Sequence, residues 1–220
     1  MTPMFWQLLL AHLLADFPLQ PRWLVEAKQR LGGLVLHASI HLLTMLLLVG
    51  EARWALLRPL ISLALVHFLI DLGKYRLAVS RPGWVTLPYL VDQAVHVLTL
   101  LGAARWIGVL VDPPAAQPWM IYAIGYLGVT HVWFVTERML TWPDKRYQRV
   151  LDQGLWPRMV ARALMLTTLL LLGLGPAMIG MAWLPYRRTD QGGRALLTDL
   201  AVAAAVALLL RWAARAALGG

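Results

Sequence analysis

Residues 4–20 read MFWQLLLAHLLADFPLQ, an apolar stretch broken by His12 and Asp16 and followed by Pro18. If the stretch is helical, the i, i+4 spacing stacks the two polar side chains on one face. The arrangement recurs: adding 55 to His12, Asp16, His37 and His41 gives His67, Asp71, Asp92 and His96. His12-Leu-Leu-Ala-Asp16 matches His67-Phe-Leu-Ile-Asp71, and His37-Ala-Ser-Ile-His41 matches Asp92-Gln-Ala-Val-His96. Four apolar segments therefore each carry one polar pair. Such groups are costly in a bilayer, so their regular recurrence points to a shared site.

The rest of the chain says what kind of medium surrounds that site. The chain is 60% hydrophobic and only 14% charged, with a mean hydropathy of +0.63, far from the quarter charged of a soluble domain. We read it as an all-α, polytopic transmembrane bundle. Its 220 residues accommodate six or seven spans of about 20 residues with short loops. With no cysteine, any metal must be held by His and carboxylates, since thiolate sites are excluded. Met1–Met4 lacks a basic leader and no cleavage motif follows, so the first apolar stretch is expected to stay as a helix.

Seven spans are expected, near 4–18, 34–50, 56–73, 88–110, 118–136, 160–184 and 195–214. Pro18 and Gly73 are expected to end the first and third. The stretch from Pro21 to Gly33, with Arg22, Glu26, Lys28 and Arg30, reads as interfacial, anchored by Trp23. Pro113, Pro114 and Pro118 separate the fourth and fifth spans, and Leu140 to Pro157 reads as the longest polar connection. The first four spans form two parallel hairpin repeats, about 4–55 and 56–110, within a site-bearing half, 1–110; residues 111–220 form a three-helix scaffold half. With the N-terminus outside, 14 of the 20 Lys and Arg fall on the inner side, including Arg81, while Arg187 and Arg188 oppose the trend. The expected topology is N-out and C-in. The net charge of +9 fits that topology and attraction to anionic lipids; no soluble basic face suits nucleic acid.

Successive spans run in opposite directions, so all four pairs fall in one leaflet, the cytoplasmic one in this topology. Moving inward, Asp16, His37, Asp71 and Asp92 form a shallow layer and His12, His41, His67 and His96 a deep one, roughly 6 Å apart along the helices. Imidazole and carboxylate suit zinc, iron or manganese, and helix bundles build two-metal sites from such groups. One or two divalent ions are expected. Three aspartates in mid-span cost roughly 8–10 kcal/mol together. Hydrogen bonds between helices return about 1 kcal/mol each, whereas a bound metal supplies on the order of 10. The alternative is a wet cavity in which the pairs hydrogen-bond across helices with some carboxylates protonated.

Gln20 and Lys74 extend the stripes of Asp16 and Asp71, as neighbours that steady a ligand or meet substrate, or as markers of the membrane surface, the reading favoured for Lys74. Gln93 reads as a link between helices. His131, alone in the fifth span, reads as packing more than as a ninth ligand. Glu137 and Arg138 are expected at the interface, Trp142, Trp156 and Trp183 in the aromatic belt, and the alanines of the last span, among them Ala203 and Ala207, as a packing face.

Taken together, His12-x3-Asp16-x3-Gln20, His37-x3-His41, His67-x3-Asp71-x2-Lys74 and Asp92-Gln93-x2-His96 resemble a family of small bacterial membrane proteins catalogued as domain of unknown function 3307. The resemblance covers about the first 100 residues and implies a multi-pass protein of the bacterial inner membrane, without naming a reaction. There is a weaker likeness to membrane-bound metal-dependent hydrolases, whose residue roles do not transfer here.

Two functions stand open. The first is a metal-dependent hydrolase acting on a lipid or other amphipathic substrate, with one of Asp16, Asp71 and Asp92 as general base and Arg22, Lys28 and Arg76 drawing anionic head groups. Iron-dependent oxidation is a variant. The second is a proton or divalent-metal transporter or channel through the same cluster. Apolar outer halves of the first four spans favour a closed site. A bis-histidine haem leaves the aspartates unexplained.

Overall fold

The computed structural model describes residues 2–80, 85–110, 117–173, 186 and 191–218. Among them every regular element is helical. These are α1 (Pro3–Asp16), α2 (Arg22–Ala27), α3 (Leu31–Leu48), a 3-10 turn (Gly50–Ala52), α4 (Arg53–Ser80), α5 (Thr86–Leu110), α6 (Pro118–Leu127), a π-helical turn (Gly128–Val132), α7 (Trp133–Leu140), α8 (Lys145–Leu171) and α9 (Gly192–Leu218). Pro113, Pro114, Trp183, Arg81, Arg187, Arg188 and the expected end of the sixth span near residue 184 lie outside the described residues.

Among the described residues, five stretches are long and apolar enough to cross a membrane: Leu31–Leu48, Gly50–Leu77, Thr86–Leu110, Pro118–Leu140 and Gly192–Ala214. Their surfaces carry the same message. Leu47, Leu69 and Leu98 are more than half exposed, while His37, His67, Asp71 and Asp92 are at most 5% exposed. Apolar outside and ionisable inside is the arrangement of a bundle solvated by lipid.

Contacts divide the chain into two units, Met1–Met120 and Ile121–Gly220. In the first, α1, α3, α4 and α5 form a ring in which α1 packs on α3 and α5, and α4 on α3 and α5. Their far halves meet in an apolar core that includes Phe5, Leu8, Met45, Leu56, Leu60 and Ile107. Gly50, at φ +62°, supplies the left-handed residue that turns α3 into α4. The short α2 lies against α3, and the approach depends on Gly33, where a Cβ would sit 2.0 Å from the Ala27 carbonyl oxygen.

Three expected boundaries are corrected. Helix α4 runs through Gly73 to Ser80, because an interior glycine costs only about 1 kcal/mol against alanine, too little to stop a packed helix. Helix α8 begins at Lys145, so the expected connection from Leu140 to Pro157 shrinks to a turn. Asp144 caps it, its carboxylate accepting from the Tyr147 backbone N–H at 3.0 Å, and Pro157 is carried inside the helix. The fifth span continues to Leu140, through a π turn instead of a break.

Candidate metal site in the first unit

Each of the four ring helices turns its polar pair inward, and their side chains converge. Asp16, from the end of α1, is the hub. Its Oδ1 accepts from Nε2 of His37 at 3.0 Å and of His41 at 2.9 Å, and lies 4.0 Å from Nε2 of His67. Its Oδ2 lies 3.5 Å from His12 Nε2. The imidazoles also pack on one another, with ring centroids 3.6 Å apart for His41 and His67, 4.4 Å for His67 and His96, and 5.1 Å for His12 and His96. Five of the chain's six histidines meet here.

Two groups have ligand atoms that all lie within 4.8 Å of one another: Asp16, His37, His41 and His67, and His67, Asp71 and His96. Ligands about 2 Å from a common ion stand at most about 4.2 Å apart, so a small contraction would close either group around a divalent ion. Buried atoms without hydrogen bonds support the fit. Among the described residues, Nε2 of His12, His67 and His96 has no hydrogen-bond partner, and His96 donates through Nδ1 to the Asp92 carbonyl at 2.9 Å, which leaves its Nε2 lone pair facing the site. His12, His41, His67 and His96 line a small cavity backed by Met45, Leu63 and Leu100. The deep imidazole layer expected from the sequence is this lining.

The shallow layer behaves differently. The carboxylate of Asp16 reaches the deep histidines, so the two layers are not two separate ligand shells. Asp71 and Asp92 are each held by a lysine. Lys28 Nζ stands 2.6 Å from Asp71 Oδ2, an ion pair not aligned for a hydrogen bond, and donates to Gln20 Oε1 at 3.0 Å. Lys74 Nζ donates to Asp92 Oδ2 at 2.6 Å, and Gln93 Nε2 approaches the same oxygen at 3.3 Å. Of the eight expected ligands, His12 and Asp92 fall outside both groups.

Several expectations change accordingly. Lys74 is not a mere surface marker, because it neutralises a buried carboxylate. Lys28, expected to draw lipid head groups, is turned into the site with its side chain 18% exposed. Gln93 contacts its own neighbour Asp92 and Gln20 steadies Lys28. The only hint of Lys28 in the sequence is the scarcity of lysine: the chain has Lys28, Lys74 and Lys145 against many arginines.

Residues 4–120 match the model described as "Protein of unknown function (DUF3307)". The chain belongs to this family. The matched segment spans all the DUF3307 helices that carry the His and Asp pairs. No curated protein and no solved structure matches the chain.

The second unit, expected from the sequence to be scaffold, holds a buried polar cluster. Arg158 on α8 binds Asp199 on α9 through Nε at 3.0 Å and Nη2 at 2.8 Å, and Nη2 also reaches both carboxylate oxygens of Glu137, at 2.8 and 2.9 Å. Tyr147 donates to Glu137 at 2.6 Å and Tyr186 to Asp199 at 2.5 Å. Arg162 Nη1 donates to the carbonyls of Val129 and Thr130, inside the π turn whose altered register frees backbone acceptors. Glu137 is thus buried rather than interfacial, whereas Arg138 pairs with Asp152 nearer the surface. His131 lies in this unit, its Nδ1 3.1 Å from Thr130 Oγ1. The readable signal was Arg158 and Arg162 at i, i+4, with Asp199 in an alanine-rich span.

Proposed function

We propose that this DUF3307 protein is a metal-dependent hydrolase of the bacterial inner membrane, acting on a lipid or another amphipathic molecule. The convergence of Asp16, His37, His41 and His67 carries the reading. These four side chains would hold a divalent ion, which when bound supplies Lewis acidity and lowers the pKa of a water towards about 7. Zinc, iron and manganese all accept this donor set. Asp16 orients His37 and His41, and those two imidazoles would move their protons from Nε2 to Nδ1 to become ligands. Asp71, beside the ligand group but outside the Asp16 set, is the carboxylate placed to accept a proton.

Transport through the same cluster is the competing function, and the largely apolar core argues against it. Behind the imidazoles, α1, α3, α4 and α5 close mainly on apolar side chains, among them Leu8, Met45, Leu60, Leu63 and Leu100, with the uncharged Gln7 and Thr44 buried on the same helices. An ion crossing there would exchange its hydration for few ligands. The ring order α1, α3, α4, α5 sets each helix opposite its counterpart in the other hairpin, as a two-fold axis relating the hairpins requires, which supports reading the site as the seam of a tandem duplication. On this reading residues 1–110 carry the chemistry and 111–220 the scaffold, in an N-out, C-in protein whose anionic lipid neighbours supply substrate. The test is metal analysis of the purified protein, followed by reconstitution in liposomes of bacterial lipids. Retained metal, no ion flux and metal-dependent release of a lipid fragment are the expected results; metal or proton flux, or a protein that retains no metal, overturns the proposal.

A further inference from the structure

Two ions fit the ligand count: Asp16, His37 and His41 for one, His67, Asp71 and His96 for the other. Three protein ligands are enough for a catalytic zinc. Asp71, which the second group needs, already has an ammonium group as its partner. Lys28 Nζ lies 2.6 Å from Asp71 Oδ2, the same oxygen that faces His37 at 3.6 Å and His67 at 3.8 Å. We infer that Lys28 is a built-in cation that occupies the second metal position, so that the site takes one divalent ion, in the Asp16 group. This rests on the metal reading above and adds the stoichiometry and the charge of the substrate.

Charge favours the same arrangement. The paired groups are three carboxylates, Asp16, Asp71 and Asp92, against the two ammonium groups of Lys28 and Lys74, a net charge of −1. One divalent ion brings the site to +1. A second would bring it to +3 among buried groups, where unbalanced charge is costly. A site of charge +1 that includes Lys28 and Lys74 complements a singly charged anionic group, as in a phosphodiester head group. The position of Lys28 is set by the fold, because α2 can lie on α3 only while residue 33 lacks a Cβ.

The experiment counts ions per chain after the full-length protein, stripped with chelator in detergent micelles, is titrated with Zn2+. The native chain is expected to bind one ion, Lys28→Met two, Lys28→Arg one, and Lys28→Met with Asp71→Asn one. Two ions in the native chain, or one in Lys28→Met, overturns the inference while leaving the metal site intact. No bound ion in the native chain overturns both. Should Lys28→Met be unstable when stripped, Zn2+ is expected to raise its melting temperature more than that of the native chain; an equal rise counts against a second ion.

Discussion

Asp16 differs from the other two aspartates of the site in a way that only neighbours reveal. Asp71 and Asp92 face ammonium groups, whereas Asp16 faces imidazoles alone. It is therefore the carboxylate left to offer its negative charge to an ion. Asp16→Asn keeps the shape but removes that charge, and the variant is expected to lose more than about 100-fold in metal affinity, beyond the 10–100-fold typical of a supporting residue, by competition against a chelator. Lys74→Met leaves Asp92 buried without its partner. Removal of one partner from a fully buried pair costs about 3–5 kcal/mol, and less here because the Lys74 side chain is 36% exposed, so this variant is expected to melt somewhat earlier than the native chain, with Asp92→Asn in the same chain recovering most of the loss. A double variant as unstable as the single one would show that the pairing contributes little.

Among the elements, α2 and the turn before α8 show how small local features place distant groups. In Gly33→Ala the new methyl meets the Ala27 carbonyl, a backbone atom that cannot swing aside, so α2 must lift from α3 and carry Lys28 with it. The variant is expected to bind Zn2+ as Lys28→Met does, at two ions per chain. The cap of α8 gives a pH signature. Asp144 is held below the ordinary carboxylate range, first by the Tyr147 backbone N–H and then by the Arg194 charge. A depressed folded pKa contributes stability that is present above the unfolded value near about 4 and is lost as pH falls through the folded one. Native protein and Asp144→Ala should therefore differ in melting temperature at pH 7, and the gap should narrow progressively below about pH 4; a gap that does not change with pH assigns the effect to something other than the cap.

For the whole molecule, the inverted distribution of polarity decides what can be done where. Apolar side chains face outward in both units, and each unit encloses its own ionisable cluster. In the first, unpaired imidazole nitrogens leave room for chemistry. In the second, Arg158, Glu137, Asp199 and two tyrosines tie α7, α8 and α9 together. Asp199→Asn weakens one of the two carboxylate partners of Arg158 in a buried setting, and a loss of about 3–5 kcal/mol is expected, read as an earlier thermal unfolding transition with metal binding in the first unit unaltered. Loss of Zn2+ binding in that variant would mean the two clusters are coupled.

Helical class, membrane character and the four polar pairs were legible along the chain, because lipid solvation demands apolar runs and makes every ionisable exception conspicuous. The i, i+4 register and alternating helix directions sufficed to bring His12, His41, His67 and His96 into one lining. Which carboxylate meets which cation was not legible. Lys28 reaches Asp71 across 43 positions of sequence, and Arg158 reaches Asp199 across 41, through packing of helices whose rotation and tilt no local pattern specifies. Nor did the chain show where α8 begins, since a capping aspartate and tertiary contacts outweigh an interior proline. Local spacing thus determined the donors and their shared level along the bundled helices, and the packed ring alone decided how charge is balanced among them, because electrostatic partners are chosen by distance in space.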